Sequence, residues 1–94
     1  AREYPVFMEF DGQLFITRHN LKAEEEVLVI LYKTQRANAI FLFEKTRDKN
    51  NSRFNKMLKQ MVTDKFIGLK ENDYFIMPRG VIRVEKEHLL RYSL

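Results

Sequence analysis

The chain contains no cysteine, which excludes disulfides, thiolate catalysis and cysteine-held zinc or iron–sulfur centres. A reducing compartment is compatible with that absence. With only three glycines and two prolines there is no flexible linker. Gly12, Gly68 and Gly80 are too scattered for a phosphate-cradling loop. No apolar run approaches the ~18–20 residues that span a bilayer, and the stretch Ala1 to Phe10 lacks the basic-then-apolar order of a signal peptide. These absences predict a cytoplasmic protein with no membrane partner. His19 and His88 stand in no nucleophile or metal spacing, and Asp11, Glu44, Asp64, Asp73 and Glu85 form no paired acid–base motif. Neither an enzyme nor a cofactor is expected.

What is present suffices for one folded unit. The 94 residues are 45% hydrophobic and 13% aromatic, enough apolar material to offset the entropy of ordering a chain of single-domain length. Its start at Ala rather than Met fits a domain taken from a longer protein. The net charge of +4 is unevenly placed. Ala1 to Arg47 balances seven basic against seven acidic residues, whereas Asp48 to Leu94 has ten basic against six acidic. Between Lys45 and Lys59 lie Lys45, Arg47, Lys49, Arg53, Lys56 and Lys59, opposed only by Asp48. Such a local positive field attracts phosphates, and it is also a common solvated face.

Along the chain, β-type runs Val6 to Phe10 and Gln13 to Arg18 flank Asp11-Gly12, a pair suited to a type I′ turn, so a hairpin is predicted. Glu24, Glu25 and Glu26 are consecutive and cannot all face one metal ion. Val27 to Thr34 and Ala39 to Thr46 are continuous β-branched and aromatic runs separated by Gln35 to Asn38, which reads as a second, buried hairpin. A helix from near Lys22 to about Arg36 remains the rival, because Ala23 to Glu26 are good helix formers. From Arg53 to Thr63 the apolar residues Phe54, Met57, Leu58, Met61 and Val62 form one stripe at helical spacing, with Asn51 or Ser52 as the cap. Beyond Asp64, the pieces KFIGL, ENDYFIM, GVIRVE and HLLRYSL read as short strands and turns. The predicted class is therefore α+β: a β-rich single domain with two N-terminal β-hairpins, one main amphipathic helix over about residues 53–63, then short C-terminal strands.

The charge asymmetry favours a nucleic-acid partner, DNA ahead of RNA. Lys and Arg neutralise phosphates, and polar side chains on turns can meet base edges. The candidate contacts are Lys45, Arg47, Lys49, Arg53, Lys56 and Lys59 for phosphates, with Lys70, Asn72 and Arg79 for bases or backbone. A homodimer is compatible with this reading. A non-catalytic protein-interaction domain, whose hairpin edge pairs with a partner strand, is the competing class.

Over residues 54–84 the chain resembles the LytTR-type DNA-binding domain of bacterial response regulators, with Asp64, Phe66, Ile67, Tyr74, Ile76 and Ile82 lying on that family's helix-then-strand rhythm. Where the family carries polar DNA contacts, this chain has Gly68 and Lys70-Glu71-Asn72-Asp73, and the family's Val-Asn pair falls on Met77-Pro78. The resemblance implies an elongated, mostly β domain that inserts loops into DNA grooves. In it the helix is a buttress, and specificity lies between Gly68 and Arg79. DGQLFI, LVILYKT and RFNKMLKQMV are also similar in order to the Alu-RNA-binding subunits of the signal recognition particle. A winged-helix reading takes Arg53 to Thr63 as recognition helix and Ile67 to Val84 as wing. That one requires two earlier helices, where VLVILY and AIFLF read as strands.

Overall fold

In the computed structural model, which describes residues 2–94, strand β1 (Glu3–Pro5) leads into β2 (Phe7–Phe10) and β3 (Gln13–Ile16). Phe10 pairs with Gln13 across Asp11-Gly12, whose φ angles of 52° and 75° are the two positive values that a type I′ turn requires. The predicted first hairpin is present. Buried Val6 joins it to the body: its N–H donates to Leu90 O (2.9 Å), and its own carbonyl accepts from Thr17 N–H (2.8 Å).

The predicted second hairpin is two helices, α1 (Ala23–Thr34) and α2 (Ala39–Lys45), joined by a short strand β4 (Arg36–Asn38). The reason is burial. Glu26 through Leu31 are all buried, so α1 is covered on every side and shows no apolar periodicity. Such a helix reads like a buried strand. Its real signals are at its ends. Glu25 accepts from the Lys22 N–H (2.8 Å), three glutamates occupy the first turn beside the free N–H groups, and Gln35 at φ 72° terminates the helix with its N–H on Leu31 O. Asn38 then starts α2 by accepting from the Phe41 N–H (2.8 Å). Local caps and tertiary burial have overridden the β propensity of AIFLF.

Helix α3 (Asn51–Thr63) matches the sequence reading, with Phe54, Leu58 and Met61 buried and Met57 and Val62 half-buried. The capping residue is Asn50, one position earlier than expected, accepting from Arg53 N–H at 2.9 Å. After Lys65, at φ 67°, come β5 (Ile67–Lys70), a turn at Glu71-Asn72, and β6 (Asp73–Ile76). GVIRVE, expected as strand, lies in helix α4 (Pro78–Lys86). Pro78 at the first helical turn lacks an N–H that would be unpaired there anyway, and Val84 and Gly80 face the core. Strand β7 (Arg91–Ser93) returns to pair antiparallel with β1.

The result is an α+β single domain. Among the described residues it has four helices and seven short strands in small antiparallel sheets. One core holds Val27 to Leu31 of α1, Leu42 of α2, Phe54, Leu58 and Met61 of α3, Ile67 of β5 and Val84 of α4. The middle of the chain runs α1, β4, α2, α3, β5, β6, and its sheet has the order β4-β6-β5. This order supplies, in α1 and α2, the two earlier helices that the winged-helix reading requires; the β5–β6 hairpin stands where that reading has its wing, and Pro78 to Val84, expected as the rest of it, is helical.

Candidate nucleic-acid interface

The cluster of cations expected between Lys45 and Lys59 divides into two groups. Most are committed to the protein itself. Arg47 reaches buried Glu26 (Nε to Oε2, 3.4 Å) and donates from Nη2 to Leu21 O at 2.8 Å. Arg53 forks onto Asp48 with two bonds, 3.0 Å from Nε and 2.7 Å from Nη2. That guanidinium, together with the Asn50 N–H, holds the Asp48 carboxyl down at about 2. Lys49 donates to the last carbonyls of α2 and the residue after it, those of Phe43 (3.5 Å), Glu44 (3.4 Å) and Thr46 (3.0 Å). There it meets the negative end of the helix dipole. Lys45 bonds Gln13 Oε1 (3.2 Å), and its Nζ lies 5.6 Å and 5.9 Å from the ring centroids of Phe41 and Phe15, pinning the hairpin to α2. Arg79 donates to Asp64 O at 2.6 Å and stacks 4.5 Å from the Phe66 centroid.

The remaining expected contacts are Lys56, Lys59, Lys70 and Asn72. All four are exposed. Lys56 and Lys59 project from the solvent side of α3, Lys70 ends β5, and Asn72 is in the wing turn. The structure thus leaves Lys56 and Lys59 on α3 and Lys70 at the end of β5 exposed, while Lys45, Arg47, Lys49 and Arg53 are bonded within the protein. Ser52 and Thr63, which charge counting passed over, share the stripe of Lys56 and Lys59 at spacings of four, three and four residues, opposite buried Phe54 and Leu58. Lys65, exposed just past the helix, extends the basic end. Helical spacing of exposed polar residues was the signal that would have found the first two.

The wing is held by Arg36, which binds Asp73 Oδ2 through Nε (3.0 Å) and Nη2 (2.7 Å), tying β4 to β6. Among the described residues, no group of three or more His, Asp or Glu is placed to hold a metal ion, and no helix is long and apolar enough to cross a membrane. What the arrangement offers chemically is a helix face and a β5–β6 turn whose ammonium groups have no partner among the described residues. Compared with known proteins, the chain matches no family model, and no curated protein or solved structure matches it significantly.

Proposed function

We propose that this domain binds nucleic acid, duplex DNA foremost, as the DNA-binding part of a transcription-type regulator. In this reading α3 enters the major groove, presenting Ser52, Lys56, Lys59 and Thr63, while Lys70 and Asn72 of the wing touch the adjoining backbone. One observation carries it: two lysines with no partner among the described residues stand on the exposed face of the third helix in a winged-helix order. A lysine bound to a carbonyl must surrender that bond to reach a phosphate, and these need not. The LytTR resemblance points to the same chemistry. The helical α1 and α2, however, favour α3 as the reader over its role as a buttress.

An anisotropy titration at low salt with labelled duplex, single strand and structured RNA tests the reading. Binding whose log affinity falls linearly with log salt is expected. No binding to any of the three overturns it.

A second reading, a protein-interaction or self-associating domain, is favoured by the hairpin. Met8 and Phe15 face each other in register and share one side with Phe10; they are 52%, 47% and 60% exposed. Size-exclusion chromatography with light scattering distinguishes it, since a tight oligomer indifferent to nucleic acid would favour this second reading.

A further inference from the structure

Phe75 stands on β6, the central strand of the wing sheet. Its neighbours along the strand, Tyr74 and Ile76, pack on the core, so the alternation of a strand turns Phe75 and Asp73 to the opposite, outer face. In register Phe75 lies between Arg36 of β4 and Gly68 of β5. The outer end of its ring covers Gly68: a methyl group there would overlap Cζ and Cε2 and come within 3.0 Å of Cε1. Glycine therefore lets the ring rest on bare backbone. The half-buried ring also lines an open cleft of about 560 Å³, bordered by Gln35, Arg36, Lys70, Glu71 and Asp73.

An aromatic ring backed by main chain and open to a cleft is a stacking platform. Its surroundings are suited to a nucleotide. The Arg36 fork is satisfied by Asp73, which cancels that carboxylate. Gln35 supplies an amide with both donor and acceptor for a base edge, and Lys70, with no partner among the described residues, brings an ammonium to the cleft wall beside the exposed Glu71 carboxylate, so only the Lys70 end suits a phosphate. Lys70 also belongs to the wing end of the nucleic-acid interface, so the cleft is continuous with it. A paired base keeps its faces inside the duplex, and only an unpaired one can offer a face to Phe75.

We propose that the outer face of the wing captures an unpaired base of a strand running beside the bound duplex, stacked on Phe75 with its phosphate near Lys70. The preferred substrate is then a duplex with a single-stranded tail. This rests on the nucleic-acid reading above.

Two variants test it against a blunt duplex and the same duplex carrying a short oligothymidine tail. The chain has no tryptophan among its aromatic residues, so Phe75→Trp places a single tryptophan on the platform, excited at wavelengths where the four tyrosines do not absorb. Its emission is expected to be quenched by the tailed duplex and unchanged by the blunt one. Phe75→Leu keeps an apolar cover over Gly68 without a π face. It is expected to lose roughly tenfold in affinity for the tailed duplex and nothing for the blunt one, with circular dichroism confirming that each variant folds. A tail that adds no affinity in the parent protein, or an equal loss on both substrates in Phe75→Leu, overturns the proposal while leaving duplex binding intact. If the parent binds neither substrate, duplex binding itself fails, and this inference falls with it.

Discussion

The Glu26 carboxylate, 2% exposed, accepts the backbone N–H of Arg47 at 3.2 Å and faces its guanidinium at 3.4 Å, fastening α1 to the segment that follows α2. Burial raises the Glu26 pKa above its ordinary 4.5, and the bonds and charge of Arg47 oppose the rise. The folded state therefore holds this proton more tightly than the unfolded state does. The Glu26 contribution to stability is more favourable below that window and declines as pH climbs from the unfolded value through the raised folded one. Arg47→Ala removes the opposing charge and extends the decline to higher pH. Because Arg47 is largely exposed, the expected loss near neutral pH is about 1–2 kcal/mol, and it shrinks near pH 4. Urea denaturation at the two pH values checks this, and Glu26→Gln should remove this site's contribution to the pH slope.

Why part of this was legible and part was not follows from where each signal resides. The Asp11-Gly12 turn and the α3 stripe are local, and they were readable. Helix α1 was masked because Val27 to Leu31 are buried on all sides, erasing the period that identifies a helix. Its glutamate-rich first turn was visible, and it pointed to the rival helix. In the candidate site, Lys56, Lys59 and Lys70 could be chosen by charge and position. That Arg47 and Arg79 are occupied could not, since their partners Leu21 and Asp64 are distant in sequence. Nor does a pattern of apolar residues reveal that Phe75 rests on Gly68, a contact between two strands.

If the domain binds DNA as proposed, Lys49 and Lys56 separate structural from binding charge. Lys49→Met removes a cation from the carbonyl end of α2 and is expected to cost about 0.3–1 kcal/mol, seen as a lower melting temperature with an unchanged salt slope of DNA binding. Lys56→Ala and Lys59→Ala should do the reverse. Each lowers the slope by about one and weakens binding across all sequences, with thermal stability preserved.

Asp48 and Arg53 provide an acid-sensitive lock at the start of α3. With its folded pKa depressed from 3.8 to about 2, chiefly by Arg53, the Asp48 carboxylate stabilises the fold above the unfolded value. That contribution is lost as pH falls through the folded one. Asn50, whose N–H donates to Asp48 Oδ1 (3.0 Å) and whose side chain caps the helix, reports it directly. Its amide resonance should titrate with a midpoint of about 2, and Asp48→Asn should abolish that titration.

Gly80 tests how firmly α4 is seated. In a solvent-facing helix position Gly→Ala gains about 1 kcal/mol from propensity. Here an added methyl would overlap the carbonyl oxygen of Phe66 and come within 2.8 Å of Ile76 Cγ1 and 3.1 Å of Leu28 Cδ2. Side chains can turn aside, but the Phe66 carbonyl is held by the Met77 N–H at 3.0 Å. It therefore cannot yield without moving the entry to α4. Overpacking of this kind costs about 1–3 kcal/mol or more, which exceeds the propensity gain, so Gly80→Ala is expected to destabilise the domain. The displacement would also disturb Phe66, on whose ring Arg79 and Arg83 stack at 4.5 Å and 5.5 Å. Equilibrium denaturation gives the answer: a variant as stable as the parent would mean that α4 can slide along α1, and that the close approach at Gly80 is not what fixes it.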